Sequence, residues 1–376
     1  MKNIKTLFVG GNFDDQIGKE SKISRIIYDN LEKTIFGISG INLDYHNGGN
    51  FKELENIVQN CQKYNLIFWF PNISNDKSKL VRKLKILNPE HVLVTSKNNT
   101  DNKYLFGDLI HHALNNHANL FVEFTKENEY IRGRIIDPLG NVFLNYCDNF
   151  ELVSQVLSKR AMELVNYTRT RSSRIYNAPI TAQNNESDTF LEIIKTYADK
   201  FHELIHPKNE NLADDAKTRF MGNASFRCEY GFPSSRTEKG ILVSKRNIDK
   251  RDINLESFVI VKNSLPVEYY GNFKPSVDTP IQIALYNYYN NINYMIHSHT
   301  YIKDAPFTKS IIPCGALEEV NEIIALFPKH EIKNFSINLI GHGSIVFASD
   351  TNNLKNIEYY ARQLPEIHEE YRIWGI

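Results

Sequence analysis

The run Leu66-Ile67-Phe68-Trp69-Phe70 constrains the fold most. Five large apolar side chains in a row do not suit a strand with one wet face, which would alternate apolar and polar. They suit a strand buried on both faces, as in a parallel sheet covered by helices. The surrounding sequence alternates accordingly. Leu7-Phe8-Val9 leads through a glycine-containing loop to a helix from about Ser21, with Ile23, Ile26, Ile27 and Leu31 on one face. Ile41 to Tyr45 reads as a strand and Phe51 to Tyr64 as a helix. Lys77 to Leu87, His91 to Thr95, Phe106 to Ala118 and Leu120 to Phe124 continue helix, strand, helix, strand. Ile131 to Ile136 and Asn141 to Tyr146 flank the turn Asp137-Pro138-Leu139-Gly140 and form a hairpin. Asn149 to Thr168 closes the half as a long helix. Repeated βα units predict a doubly wound, mainly parallel sheet, Rossmann-like or flavodoxin-like.

A chain of 376 residues is long for one domain. The boundaries expected are 1–172 for the first domain, 173–188 for a linker and 189–376 for a second. Arg171 to Ser187 holds Pro179, several Asn and few large apolar residues. Lys+Arg and Asp+Glu balance at 44 each, which excludes an overall field that would draw the protein to nucleic acid or an anionic membrane. No apolar run has the length of a membrane span, and no signal-peptide pattern precedes the first strand. Cys61, Cys147, Cys228 and Cys314 are scattered and read as reduced thiols. A cytoplasmic protein is expected.

In a doubly wound sheet, ligands bind beyond the carboxyl ends of the strands. The residues there are small and polar: Gly10-Gly11-Asn12, Asn47-Gly48-Gly49-Asn50, Asn72 with Ser74 and Asn75, and Ser96-Lys97-Asn98. Gly18-Lys19-Glu20-Ser21 at a helix start departs from a P-loop in its glycine spacing and in Glu20. Its backbone N–H groups and Lys19 could still hold a phosphate or carboxylate. The alternative is a set of ordinary polar loops.

The second half has a different rhythm. A helix from about Asp188 to Leu204 precedes the strands Ala224 to Arg227, Gly240 to Ser244 and Phe258 to Val261. Helices follow at Pro280 to about Tyr289 and at Glu318 to Phe327, and a last one is expected from Leu354. Tyr294-Met295-Ile296 leads into His297-Ser298-His299, whose two imidazoles share one face if the strand continues. His342 sits between two glycines ahead of Ile345-Val346-Phe347-Ala348. Three histidines on neighbouring strands suit a catalytic Zn²⁺ with an open position. In a chain with 12 His, a buried, hydrogen-bonded pair is the alternative.

Several motifs then line up in order. Gly222-Asn223-Ala224-Ser225, Gly240-Ile241-Leu242-Val243-Ser244, Pro275-Ser276-Val277-Asp278 with Gln282 and Tyr286, His297-Ser298-His299, Ile312-Pro313-Cys314 and Gly341-His342-Gly343 together resemble the class II aldolase/adducin family over about residues 190–365. The resemblance implies a three-layer α/β/α domain around a mainly antiparallel sheet, and a homo-oligomer, with a tetramer favoured. It implies Zn²⁺ on His297, His299 and His342, and cleavage, epimerisation or dehydration of a small, usually phosphorylated sugar or polyol through a metal-stabilised enediolate. Asn223, Ser225, Ser244, Lys245 and Ser276 are the expected substrate- or phosphate-binding residues.

Two departures bear on the reaction. The family's acid/base carboxylate is usually Glu; here Asp278 stands in its place, shorter by roughly 1.5 Å. Asp278 could act as the base or could cap the helix that contains Pro280. Lys245-Arg246 replaces a loop of small residues, so the pair could grip an anion or face solvent. The general acid is not assigned: Tyr359, Tyr360 and Tyr371, beside Trp374, are candidates among many tyrosines. Cys314 reads as a small core residue. The expectation is a Zn²⁺-dependent aldolase or epimerase. Alternatives are a dehydratase of the same fold, an adducin-like binding module without catalysis, or an activity that resides in a nucleotide-binding first domain.

Overall fold

The computed structural model describes residues 4–36, 41–73, 79–100, 103–127, 129–167, 172–176, 181–183, 186–201, 220–231 and 237–368. Ser74, Asn75, Tyr371 and Trp374 lie outside them. The described chain falls into two compact units, 4–166 with 364–368 and 172–201 with 220–363.

The first unit opens with β1 (Ile4–Asp14), α1 (Lys22–Phe36), β2 (Ile41–Asn50), α2 (Phe51–Gln59), β3 (Leu66–Trp69), β4 (Asn72–Ile73) and α3 (Leu80–Leu87). It continues with β5 (Val92–Asn98), α4 (Phe106–Asn115), β6 (Leu120–Glu127), β7 (Tyr130–Ile136), β8 (Asn141–Cys147) and α5 (Phe150–Asn166). The sheet order is β2-β1-β3-β5-β6-β7-β8. Strands β1 to β6 pair in parallel along this path, and β6-β7-β8 is antiparallel. Leu7, Val9, Ile67, Trp69 and Leu93 face α2 and α3 on one side of the sheet. On the other side, α1 packs with α5, where the Ser154 hydroxyl donates to the Ile27 carbonyl. The apolar run of β3 is buried throughout, because helices cover both faces.

Here the glycine-rich stretches differ from expectation. Gly10-Gly11-Asn12 and Asn47-Gly48-Gly49-Asn50 are not loops: they continue β1 and β2. A Cβ on Gly11 would stand 2.3 Å from the Gly48 nitrogen, so these glycines let two main chains touch. Asn12 N–H donates to Lys19 C=O at 2.8 Å and Gly18 N–H to Gly49 C=O at 2.9 Å. Backbone groups expected to cradle an anion are thus spent on each other.

The second unit begins with β9 (Ser173–Ile175), β10 (Thr181–Gln183) and α6 (Ser187–Thr196). Then follow β11 (Asn223–Gly231), β12 (Glu238–Ser244), β13 (Phe258–Lys262), β14 (Glu268–Tyr270), α7 (Thr279–Tyr288), β15 (Tyr294–Ser298) and β16 (Tyr301–Ile302). The remainder is α8 (Glu318–Leu326), β17 (Asn334–Leu339), β18 (Gly343–Ala348) and β19 (Tyr359–Tyr360). The main sheet runs β17-β18-β15-β11-β12-β13-β14-β9 and is antiparallel except at β14-β9. Alternate residues of its strands enter two cores. Phe226, Tyr294 and Ile296 meet Phe190 and Ile194 of α6. Val243, Met295 and Phe347 meet Ile281, Leu285 and Ile323 of α7 and α8. This is the three-layer arrangement. Phe226 lies with ring centroids 5.4 Å from Phe190 and 5.2 Å from Phe258; its truncation to Ala would cost about 3–5 kcal/mol.

Two expectations fail in this half. The segment read as a linker contributes β9 and β10, which pair with β14 and β11. The helix expected from Leu354 is absent: a 3-10 turn, Thr351–Leu354, ends there. The Tyr197 hydroxyl accepts from Ile357 N–H at 2.9 Å and donates to Leu354 C=O at 3.1 Å. Backbone groups a helix would need are held from across the unit. The short strand β20 (Glu366–Ile367) pairs in parallel with β8 of the first unit. Among the described residues no helix is long and apolar enough to cross a membrane.

Candidate metal centre

Strand pairing brings the histidines together. Asn223 at the start of β11 faces His297 near the end of β15, and Ser298 faces Ser344 of β18. His299 lies just beyond β15, and His342 lies just before β18. A Cβ on Gly343 would fall 2.0 Å from the Ser298 carbonyl oxygen, so only glycine lets the two strand ends approach this closely. The three rings are buried, with centroids 4.6 to 5.2 Å apart, and one nitrogen from each lies within 4.8 Å of the others.

The outer hydrogen bonds orient two of the rings. His297 Nδ1 bonds the Ser344 carbonyl at 2.9 Å, and His342 Nδ1 lies 3.2 Å from Glu319 Oε1. That leaves their Nε2 atoms to face inward. His297 Nε2 and His299 Nδ1 are buried without a hydrogen-bond partner, a costly state unless something binds them. Burial, and then His342, pushes His297 down to about 4. Burial beside His297 and His342 takes His299 well below its ordinary value. Both are neutral at pH 7, the form that ligates a cation. This donor set fits a divalent metal.

Asp278 occupies the N-cap position of α7, but its side chain makes no capping bond. Its Oδ2 accepts from the Asn223 amide at 2.8 Å and lies 3.7 Å from His297 Nε2, while Oδ1 is buried and unpartnered. Of the two sequence alternatives, the geometry favours a carboxylate facing the histidines. A cavity of about 10 Å³, lined by Asn223, Asp278, Gln282, His297, Glu319 and His342 among others, lies beside them. That is room for about one water or ion.

Residues 211–308 match the family model described as the class II aldolase and adducin N-terminal domain. The C-terminal half resembles the class II aldolase/adducin family. The N-terminal half is assigned to no family. No curated protein matches the chain. Among solved structures, the chain is similar to an L-fuculose 1-phosphate aldolase at 17% identity, covering 45% of this chain and 81% of that one, with TM-score 0.30. It is similar to YgbL, a putative aldolase/epimerase/decarboxylase from Klebsiella pneumoniae, at 13% identity over 45% and 81%, TM-score 0.30. It is also similar to the DNA/pantothenate metabolism flavoprotein from Streptococcus pneumoniae, at 14% identity over 43% and 99%, TM-score 0.35.

The other positions carried over from the aldolase/adducin resemblance distribute unevenly around the histidines. Ser276 lies beside Asp278: its hydroxyl accepts from Asn223 Nδ2 at 3.0 Å. Asn223 spends its amide on Ser276 and Asp278 and accepts from Gln282, so it braces the carboxylate. The Ser225 hydroxyl, fully buried, bonds Tyr286 OH at 3.1 Å. The Ser244 hydroxyl, also fully buried, accepts from Ala224 N–H at 3.1 Å. Both tie the Asn223 segment down from below. Lys245 lies over the Phe273 ring at 4.3 Å, not among the histidines. Arg246 is exposed. Tyr359 is half-buried and Tyr360 exposed, on β19.

Two residues at the centre were not read as functional from sequence. Glu319 is a glutamate in the first turn of a helix, where acids are common for dipole reasons, so no signal marks it. Cys314, expected as a small core residue, has its Sγ 3.1 Å from His342 Nε2.

The first unit has a larger opening of its own, about 560 Å³. Ser21, Asn72, Lys79, Arg82, Lys97 and Tyr104 are among its lining residues, none of which is acidic. It lies where β1 and β3, neighbours in the sheet, send the chain to opposite faces, the topological switch point. Lys19 does not line it.

Proposed function

We propose that the second unit is a Zn²⁺-dependent aldolase, a carbon–carbon lyase, or an epimerase, acting on a small sugar or polyol that is phosphorylated. The observation that carries this reading is the convergence of three buried imidazoles, two with unpartnered nitrogens, beside a buried carboxylate. His297, His299 and His342 would hold the metal, which when bound supplies Lewis acidity to a substrate carbonyl. The printed description of one similar structure, an L-fuculose 1-phosphate aldolase, agrees with this class of substrate.

The chain's own residues do the proton work. Asp278 Oδ1, buried and unpartnered, is the acceptor for a proton lost from carbon or hydroxyl. Asn223 and Ser276 fix the carboxylate through Oδ2, so only the other oxygen needs to exchange protons. Glu319 holds His342 in place. An adducin-like module without catalysis has no need of a buried carboxylate with an unsatisfied oxygen.

The test is metal analysis of the purified chain with a screen of sugar phosphates for aldehyde or ketone products. One zinc per chain is expected, with an aldehyde fragment from an aldolase or an epimer of the substrate from an epimerase. Asp278→Asn should keep the metal and lower kcat by about 10²–10⁴-fold, the usual loss of a general base. Absence of zinc, with His299→Ala unchanged in every assay, would sink the reading. Product formed without carbon–carbon cleavage or epimerisation would favour the dehydratase.

For the first unit we propose an anion-binding role, placed in the 560 Å³ opening with Lys79, Arg82 and Lys97 on its walls. A nucleotide or sugar phosphate should stabilise the full chain to heat, and Lys97→Ala should reduce that shift. No stabilisation by either class would count against it.

A further inference from the structure

The opening in the first unit has a charged end and an apolar end. The charged end is formed by α3 and β5. Lys79 precedes α3 and gives its first turn no side-chain cap, and Lys79, Val81 and Arg82 line the opening. The positive end of that helix dipole therefore meets the ligand space beside two cations. Lys97 of β5 adds a third, with its ammonium 4.9 Å from the centre of the Tyr104 ring. Burial, then Lys97 and Arg82, push His112 down to about 4. Both cations thus stand on one side of the opening, beside an imidazole that is neutral at pH 7. A second observation points to a ligand independently of charge. Thr95, also in the lining, is 2% exposed, and its hydroxyl is buried without a hydrogen-bond partner. That state is costly unless a bound molecule satisfies it. Thr95 and Lys97 share one face of β5, so the hydroxyl belongs to the charged end.

The apolar end lies across the edge of the sheet. Phe70 packs there on Phe8 and Phe124, with ring centroids 5.4 and 6.2 Å apart, and Ile27 of α1 lines the same wall. Asn72 and Asn98 border the opening as exposed amides, Asn98 donating to Asn72 at 3.2 Å. No described lining residue is acidic. A dinucleotide site would offer its ribose a carboxylate and its pyrophosphate a glycine loop. Here the first is missing from the wall, and the glycines of β1 and β2 are closed on each other.

We propose that this opening binds a nucleoside diphosphate or triphosphate, with its phosphates at the start of α3, Arg82 and Lys97 and its base against Phe70 and Ile27. This rests on the anion-binding role given above and narrows it. A sugar monophosphate has no flat apolar part for the Phe70 wall and too little charge for three cations. The volume of about 560 Å³ falls within the roughly 300–1,000 Å³ of sites that enclose a whole small molecule. Thr95 donates its hydroxyl to a phosphate oxygen. Without a carboxylate in the wall to hold Mg²⁺, binding needs no divalent cation.

Calorimetric titration of the full chain tests this with pyrophosphate, ribose 5-phosphate and the diphosphates of the four common nucleosides. At least one nucleoside diphosphate should bind about tenfold or more tighter than pyrophosphate or ribose 5-phosphate, the gain that a stacked base brings. Lys97→Ala should weaken it by about tenfold or more, the loss of a charged hydrogen bond. Thr95→Val should weaken it by about 3–10-fold and yet raise the Tm of the free chain, because a buried unpartnered hydroxyl is removed. A hydroxyl of purely structural use would leave the affinity as it was. Pyrophosphate or ribose 5-phosphate binding as tightly as every nucleoside diphosphate overturns the base assignment and leaves the anion-binding role standing. No binding of any of these overturns both. Binding that Lys97→Ala leaves unchanged, or that excess chelator abolishes, puts the ligand elsewhere and overturns the proposal.

Discussion

Each unit buries a histidine with an unpartnered ring nitrogen, and the two sites differ in everything else. His91, ahead of β5 in the first unit, is 1% exposed and neither ring nitrogen has a partner. It stands at the amino end of a parallel strand, opposite the end where ligands gather, and belongs to no convergent donor group among the described residues. His297 is equally buried, yet it converges with two imidazoles and lies 3.7 Å from a carboxylate. Burial and an orphaned nitrogen do not make a metal site. A metal site also needs convergence, and here convergence comes from antiparallel register: strands β11, β15 and β18 set Asn223, His297 and the His342 turn side by side.

The strongest way to break that comparison is by metal content. His299→Ala should weaken zinc binding by more than the ~10–100-fold that loss of an outer-shell partner costs, read by competition with a chromogenic chelator. His91→Leu should leave zinc per folded chain unchanged. Equal losses in both variants would mean that the difference between the units is not what holds metal.

Acid should strain the first unit through His91. Burial, and then Lys85, pushes its pKa down to about 3. Unfolded, it titrates near 6.5, so the unfolded chain takes up the proton first as pH falls. The stability that His91 contributes is complete above about pH 6.5 and is lost progressively down to about pH 3. That loss is roughly 4–5 kcal/mol in all. His91→Leu should flatten this part of the urea-unfolding stability curve; an unchanged slope would show that another group carries it.

The smallest effects concern close main-chain contacts. Gly11→Ala and Gly315→Ala each place a Cβ under 3 Å from backbone atoms at positive φ, and each should cost about 1–3 kcal/mol. Only Gly315→Ala should also lower turnover, because its turn backs the main chain just before Asp278. If Gly11→Ala did so as well, the two glycines would not be distinct in function.

Much of this was legible in the sequence. The apolar run of β3 and the βα alternation predicted a parallel sheet, and six ordered motifs pointed to an antiparallel α/β/α unit with three histidines. Period and spacing are local, so they survive in one dimension. The glycines within β1 and β2 misled because a phosphate-cradling loop and a close contact between main chains demand the same residue. The helix expected after Leu354 failed because Tyr197, far away in sequence, takes the backbone bonds first.

By itself the sequence determined the main strands of the first sheet, which half is parallel, and which imidazoles sit at strand ends. Only the tertiary structure decided that Asp278 turns from its helix end toward His297, that Glu319 props His342, and that Cys314 joins them. Those residues are separated along the chain by loops of no fixed length. Their meeting depends on strand register and on the Gly315 and Gly343 contacts, which hold two pieces of main chain closer than any side chain would allow.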